Sequence, residues 1–430
     1  MGIVWVEEGY PTAAAIQLLH GKALYKDVWF DKPPLSAFVY LLWGARVGVP
    51  LRIAGAAFVL LCCWMIWRFA RDSWGPNEAV AAASFVAFFL TFGIPSAVMA
   101  LAPDLLMVLP HIAAIYLAWR GRAFWSGLVA GIALLVNAKA VFLLAACALW
   151  TWRSLPWLLA GFALPNIAAL AWFGMPYVEE VWRWGALYSE QTFALAAGFT
   201  RTLNWAGFHA ALVAGATVAF WKEKHWRMLV WLLLFLGAVA AGWRFFPRYY
   251  FQLLPVMALM AARGYTLMGR WRVIIWLLLL IPFVRFGPRF ATLAGDLLQH
   301  RETQWNDLTL NQDSRAAAAL AGADGTLLVW GYRPDIFAYT RMPAGSRFLD
   351  SQPLTGVLAD RHLTSSEATA PEWAADNRRA LIQTKPTWIV DGLGPLNPTL
   401  AIKNYADLRD WLGNYHETAR TQYSVIYKLK

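Results

Sequence analysis

Residues 7–34 read EEGYPTAAAIQLLHGKALYKDVWFDKPP. Glu7, Glu8, Lys26, Asp27, Asp31 and Lys32 are gathered here, directly ahead of a long apolar array. Ionisable groups held at a membrane surface are costly and mark functional sites. Of 430 residues, 59% are hydrophobic and 15% charged, with 26 tryptophans. Soluble domains carry about 25% charged residues, so the chain reads as a polytopic membrane protein. Its net charge of +11 fits short basic cytoplasmic loops and anionic lipid. No Arg/Lys-rich tract with interleaved aromatics occurs, and nucleic acid is not an expected partner. Cys62, Cys63 and Cys147 lie in apolar runs without metal-ligand spacing and read as buried small side chains.

Met1–Val6 is too short for a signal peptide or a span. Thr12–Leu19 reads as a short helix with Thr12 as N-cap and Gly21 as its stop. Leu35–Ala45 falls well short of the ~20 residues of a spanning helix and reads as interfacial or re-entrant. Apolar runs near 53–67, 79–99, 105–119, 123–138, 140–152, 155–173, 205–221, 226–243, 249–262 and 273–284 predict about ten spans. Basic clusters at Arg68/Arg71, Arg120/Arg122, Arg153, Lys222/Lys224/Arg227 and Arg263/Arg270/Arg272 recur at every second loop, which makes those loops cytoplasmic. The alternate loops, with Glu7–Pro50, Met99–Asp104, Asn137–Lys139, Gly174–Asn204 and Arg244–Arg248, are then external. Arg46 and Arg52 run against this and fit if 35–45 does not cross. An external N-terminus suggests a first helix missing from this version of the sequence, with simple N-out insertion as the alternative.

From about Phe290 polar residues rise. TLLVWG (326–331) and TWIVDG (387–392) read as buried strands ended by glycine, and Tyr423–Leu429 as a final strand. Ala359–Arg379 reads as partly helical, 406–412 has helical spacing, and the Ala run at 316–319 is helix-forming. The expected fold is mainly α: a polytopic helical domain over 1–290 with an external catalytic loop at 7–50, then a small external α/β domain over 291–430.

The external loops bring together the acids Glu7, Glu8, Asp27, Asp31 and Asp104 with Lys26, Lys32, Lys139, Arg244 and Arg248. Acids there can activate a hydroxyl or hold a divalent cation, and Arg grips phosphate with a planar fork. The set suits a substrate with a phosphate near headgroup level, such as a lipid-linked sugar. The same charges also serve as ordinary helix-end anchors that snorkel to the interface, and spacing alone leaves the two readings open. His20, His111, His209 and His225 show no ligand spacing and read as packing or loop histidines. Trp29, Trp182 and Trp184 are placed to stack on sugar.

WVEEGYPTAAAIQLLHGKALYKDVWFDKPPL (5–35) resembles the first external loop of the GT-C glycosyltransferase superfamily, in the bacterial branch related to protein O-mannosyltransferases and aminoarabinose transferases. The acidic pair corresponds to Glu7-Glu8, the helix stop to Gly21, the Tyr-Lys-Asp to residues 25–27 and the Lys-Pro-Pro turn to 32–34. APDLLMVLPHIAAIYLAWRG (102–121) is similar to the second acidic motif, NAKAVFLL (137–144) to a lysine-bearing helix, and RFFPRYYFQLLPVMALMAARG (244–264) to a late phosphate-contacting motif. LLVWGYRPDIFAYTRMPAGSRFL (327–349) is similar to the external domain of one bacterial subgroup.

The resemblance implies that an acceptor hydroxyl attacks the anomeric carbon of a polyprenyl-phosphate sugar. Glu7 falls at the catalytic base, with Glu8 beside it, and Asp104 at the second acid. Asp31 falls at a metal-ligand position, identity of the cation unspecified. Lys32, Lys139, Arg248 and Tyr249 fall at substrate- and phosphate-contacting positions. It implies a bacterial inner-membrane enzyme with its site on the periplasmic side, acting on a protein, lipid or glycan acceptor, and Glu7, Asp31 and Asp104 converging on one external cavity. Glu at position 7 departs from the usual Asp by one methylene. A transporter or flippase of lipid-linked sugars, or a non-catalytic lipid-sugar-binding relative, stays open as an alternative. The loop alternation predicts that, with native cysteines replaced, a cysteine at Ser365 reacts with an impermeant thiol reagent in intact cells and one at Lys224 does not; labelling at 224 would invert the topology.

Overall fold

In a lipid-facing bundle the backbone is satisfied only within helices, and long helices make up most of the chain. The computed structural model describes residues 4–93, 99–190, 195–301 and 309–430. It divides into two compact units: residues 1–51, 173–191 and 306–430 form the first, and 52–172 and 192–305 the second.

The second unit is the apolar bundle. Among the described residues three helical stretches are long and apolar enough to cross a membrane: Val49–Ser73, Ala140–Leu187 and Gly269–Leu298. The pair Leu195–Phe208 and Ala210–Glu223, bent by 87°, makes a fourth if counted as one span. The chain is a multi-pass membrane protein. The expectation of about ten full spans fails on length. Pro76–Phe92, Pro103–Trp119, Ala123–Leu134 and Trp226–Ala240 are apolar but only 10–17 residues, and the two runs expected at 140–152 and 155–173 join into one. The end of the run expected at 79–99 lies, at 94–98, outside the described residues. Leu60, Trp64, Ile167, Trp172, Trp221 and Leu277 stay exposed, an apolar surface of the kind lipid covers.

Close helix crossings hold this unit together. A Cβ on Gly264 would collide with the carbonyl of Gly215, and one on Gly127 with that of Leu158. Only glycine lets these backbones approach, as small residues do in membrane bundles. At one end, Asp72 accepts from the Tyr116 hydroxyl at 2.6 Å and from Arg120 at 3.1 Å, while Arg263 bonds Glu78 at 2.7 Å and also pairs with Glu223. The basic loops of the alternation therefore collect at one end of the bundle. The stretch from Pro103 to Arg120 climbs about 25 Å at 1.5 Å per residue, which puts Asp104 at the other end.

The first unit joins the N-terminal loop to the α/β segment. Strands β1 (Leu327–Trp330), β2 (Trp388–Asp391), β3 (Tyr415–Arg420) and β4 (Val425–Leu429) form a sheet of order β1-β2-β4-β3. β1 and β2 run parallel with Leu327 opposite Trp388, and β4 pairs antiparallel with both β2 and β3. The expected strands at 326–331 and 387–392 are present. β3 carries an alternation too weak to read, because most of its residues are exposed. Leu328, Val329, Trp330, Ile389, Val390 and Ile426 are buried in the core.

The N-terminal helix runs Val6–Leu19 with Pro11 inside it, so it starts six residues before the expected Thr12. Thr12 is no N-cap: its hydroxyl donates to the Glu8 carbonyl at 2.6 Å. Glu8 caps the helix instead, its Oε2 accepting the Trp5 N–H at 3.0 Å. Gly21 stops it in the left-handed region at φ 79°. The 35–45 segment is a short turn of α-helix, Leu35–Phe38, continued as 3-10 helix over Val39–Trp43, too short to span, as expected. The loop is stitched to the α/β segment by Gln17, which accepts the Ala344 N–H at 2.7 Å and donates to the Met342 carbonyl at 3.2 Å, and by Trp29 N–H to the Arg347 carbonyl at 2.7 Å.

His362 offers a stability test. It is buried, its Nε2 lies 3.0 Å from the Val357 carbonyl, and Nδ1 finds no partner among the described residues. Burial lowers its pKa from 6.5 to about 4. Stability from this neutral ring is full above pH 6.5 and is lost as pH falls through 4. At pH 5 the wild type is expected to lose about 2 kcal/mol relative to its value at pH 8 that His362→Gln does not lose. Thermal unfolding of both proteins at the two pH values measures the difference.

Candidate functional site

In the second unit the site is built on the break before the Pro103–Leu106 helix. Asp104 is buried at the start of that helix. Its Oδ1 accepts from Asn137 Nδ2 at 2.9 Å, and its Oδ2 lies 3.2 Å from Arg248 Nε. Asn137 Oδ1 in turn accepts the Lys139 backbone N–H at 3.0 Å. The Lys139 ammonium lies over the Tyr249 ring, and the Arg248 guanidinium carbon is 4.4 Å from the centre of the Phe246 ring. The structure therefore brings Asp104, Lys139, Arg248 and Tyr249 together from loops far apart in sequence.

A second layer lies beneath. Gln252 donates to the Asp104 carbonyl, its Oε1 lies 3.3 Å from His111 Nδ1, and Trp231 Nε1–H donates to His111 Nε2 at 2.8 Å. This pattern fixes His111 as the neutral ring with the proton on Nδ1. Sequence reading set His111 aside as a packing residue and did not single out Asn137 or Gln252. A polar residue inside an apolar run is the one signal that could have raised them.

Lys139 is the electrostatic oddity. It sits in the loop before the Ala140–Thr151 helix, and its Nζ has no hydrogen-bond acceptor among the described residues. Burial lowers its ammonium pKa to about 7, against the pull of Asp104 and helped by the nearby Arg248. Two cationic groups and one carboxylate leave the cluster one negative charge short of balance, which suits an anion.

In the first unit Glu7 is half-buried on the N-terminal helix. Pro11, four residues on, cannot give the helix donor that would meet the Glu7 carbonyl. Asp31 is buried in its side chain, with the Lys32 ammonium 3.3 Å away. Gln352 Nε2 reaches Asp31 at 3.4 Å, and the Gln352 N–H donates to Asp350 at 2.7 Å. Ser351 between them accepts the Gly331 N–H at 2.8 Å, just past β1. Crevices at the carboxyl ends of strands are the usual ligand sites of parallel sheets. Burial and the neighbouring Asp31 raise the Asp350 carboxyl to about 7. Asp350 and Gln352, some 320 residues from Asp31 along the chain, left no sequence signal.

The donor set at Asp31 is too small to hold a cation by itself. Among the described residues no three His, Cys, Asp or Glu side chains form a metal-holding group, and the Asp31 carboxylate already faces an ammonium and an amide. These side chains alone do not make a metal cage, and no step below runs through one. Of the acids expected to share a cavity, Glu7 and Asp31 belong to the first unit and Asp104 to the second. Trp29 and Trp184, expected on exposed loops, are both buried at 2% because they pack edge to face, 5.6 Å apart.

Solved structures share the fold. ArnT from Cupriavidus metallidurans in the apo state matches with a TM-score of 0.60 at 14% identity, covering 99% of this chain and 93% of that one. The same protein bound to undecaprenyl phosphate gives 0.58 at 15% identity, covering 99% and 94%. The apo oligosaccharyltransferase of Archaeoglobus fulgidus gives 0.50 at 12%, covering 96% of this chain and 69% of that one. No family profile and no curated relative matches the sequence. The chain has the fold of these solved structures.

A buried ammonium without an acceptor should destabilise the ligand-free protein. Lys139→Met is expected to raise Tm by about 2–4 °C at pH 7. The Lys pKa is lowered from 10.5 to about 7, so this strain is absent above pH 10.5 and grows as pH falls through 7. The gap between variant and wild type should therefore narrow toward pH 10. Thermal unfolding at both pH values checks the sign.

Proposed function

We propose that the protein is a glycosyltransferase that moves a sugar from a polyprenyl-phosphate donor to an acceptor hydroxyl at the outer face of a bacterial inner membrane. The observation that carries this reading is the Lys139–Arg248–Asp104 cluster, whose surplus positive charge matches the single negative charge of a phosphodiester. The GT-C fold supports it, and ArnT binding undecaprenyl phosphate shows that this fold accommodates such a carrier.

In this reaction the acceptor oxygen forms a bond to the anomeric carbon while the bond from that carbon to the phosphate oxygen breaks. Polyprenyl phosphate leaves with the bonding electron pair, and the acceptor proton passes to a carboxylate. Glu7 takes the part of base, since Glu8 caps its helix. Arg248 and Lys139 meet the phosphate, whose charge rises from one to about two as the bond breaks, so they bind the departing group more tightly than the donor. Tyr249 holds Lys139 by cation–π contact. Lys32 and Asp31 pair at 3.3 Å in the first unit.

Two measurements test the reading. Purified protein in nanodiscs, given polyprenyl-phosphate sugars of several kinds and a cell-envelope extract, should release polyprenyl phosphate with transfer of the sugar. Glu7→Gln should lower turnover by about 100-fold or more with donor binding unchanged. Arg248→Lys keeps the charge but loses the fork, and should lower donor binding and turnover by roughly tenfold. Wild-type protein that transfers from no such donor sinks the proposal, and an Arg248→Ala variant with normal donor binding removes the phosphate from that residue.

A further inference from the structure

The first unit contains an open cleft of about 1040 Å³ that the chemistry above does not use. One wall is the stretch 175–187, which presents Glu179, Glu180 and Arg183. The opposite wall is the Pro371–Leu381 helix, where the helical repeat sets Glu372, Trp373, Asp376 and Asn377 on one face. Tyr25, Lys26, Trp29 and Arg347 form the floor. A volume near the upper end of the usual range for small-molecule sites, about 300–1,000 Å³, separates it from a packing defect.

We propose that this cleft binds the saccharide portion of the acceptor. The inference rests on the glycosyl-transfer reading and adds the acceptor's chemical class. Three features of the lining point to sugar. First, the half-buried Trp373 ring is braced edge to face by Trp184 at 5.2 Å, and Trp184 by Trp29 at 5.6 Å. A rigid ring of this kind gives the axial C–H face of a pyranose an apolar platform.

Second, the charges are mixed. Lys26, Arg183 and Arg347 alternate with Glu179, Glu180, Glu372 and Asp376, so no single sign of ligand charge is favoured. Planar carboxylate and guanidinium groups are each able to bridge two neighbouring hydroxyls. A phosphate or a polycation would meet like charge on part of the lining.

Third, polar atoms of the floor wait for partners. Trp29 is 2% exposed and lines the cleft, yet its Nε1–H has no acceptor among the described residues. Arg347 donates through Nη2 to the Tyr25 carbonyl at 2.8 Å and to Glu180, and its Nε has no acceptor. Buried donors left unmet are costly, and ligand hydroxyls would satisfy them. Glu180 anchors the floor by accepting the Phe30 N–H at 2.8 Å, which keeps the cleft shape when no ligand is bound.

Saturation-transfer NMR without donor tests the cleft. The probes are maltose, cellobiose, lactose, chitobiose and a glucuronic-acid disaccharide, with a neutral tripeptide as control. Wild-type protein should transfer saturation to ring protons of at least one disaccharide and not to the tripeptide. The double variant Glu372→Gln, Asp376→Asn changes exposed side chains only, and should weaken that binding about tenfold, as should Trp373→Ala, with Tm unchanged in the double variant. Silence toward every disaccharide, equal transfer to the tripeptide, or unaltered binding in the double variant overturns the assignment. In the transfer assay the double variant should raise KM for a saccharide acceptor and leave donor KM alone. A protein that binds the disaccharides but moves no sugar keeps the cleft and loses the reaction; one that moves sugar to acceptors with unchanged KM in the double variant keeps the reaction and loses the cleft.

Discussion

The bonds to Asp104 hold the apolar bundle's functional end together. One carboxylate accepts from Asn137 and pairs with Arg248, while its own carbonyl accepts from Gln252. Two segments from distant parts of the chain, one at Asn137 and one spanning Arg248 and Gln252, thus end on one residue. In an environment with little water, hydrogen bonds of this kind are strong and a missing partner is expensive. That cost explains why a second layer, His111 held by Trp231, sits behind Gln252: each polar group is met by another until the chain reaches an indole N–H, which needs only one acceptor.

The first unit solves a different problem, that of fixing a loop that has little core of its own. Residues 20–34 contain no strand or long helix, so their backbone groups need partners elsewhere. Arg347 meets two of them, its carbonyl accepting the Trp29 N–H and its guanidinium donating to the Tyr25 carbonyl, while the Gln17 and Lys22 side chains bond the Ala344 backbone in return. Tyr10 stacks on Phe30 at 5.1 Å and reaches toward Tyr332 at 5.9 Å. An α/β segment therefore works here as a mould for the acidic loop, and the loop's geometry depends on residues more than three hundred positions away.

That dependence sets what the sequence could reveal. Composition and apolar runs made the membrane class, the helical bundle and the two glycine-ended strands legible, since burial leaves a periodic trace. The charged motifs also showed Asp104, Lys139 and Arg248, because a charge amid apolar residues stands out. Span count was overread: hydropathy sees apolar length, whereas Ala123–Leu134 and Trp226–Ala240 stop after about three to four turns. The helix start was misread because Thr12 has the right chemistry for an N-cap, yet Glu8 fills that need from inside the first turn. Asn137 and Gln252 left only the mark of a polar residue in an apolar run, and Asp350 and Gln352 left none, for all four act through partners that folding brings near. Trp29 and Trp184 were read as external rings placed to stack on sugar, and here the rings pack on each other.

The charge pattern of the Asp104 cluster also bears on how the proposed reaction would be driven. A fully neutralised site, with a second acid facing Lys139, would be more stable when empty but would bind the donor and the departing phosphate with little preference. With Lys139 unsatisfied, each increment of negative charge on the phosphate oxygen meets a cation that water cannot reach. Stabilisation then grows along the reaction coordinate, which is the condition for lowering the barrier rather than deepening the bound state. The strain of the empty site and its preference for the late, more highly charged phosphate are on this view one property of the same buried ammonium.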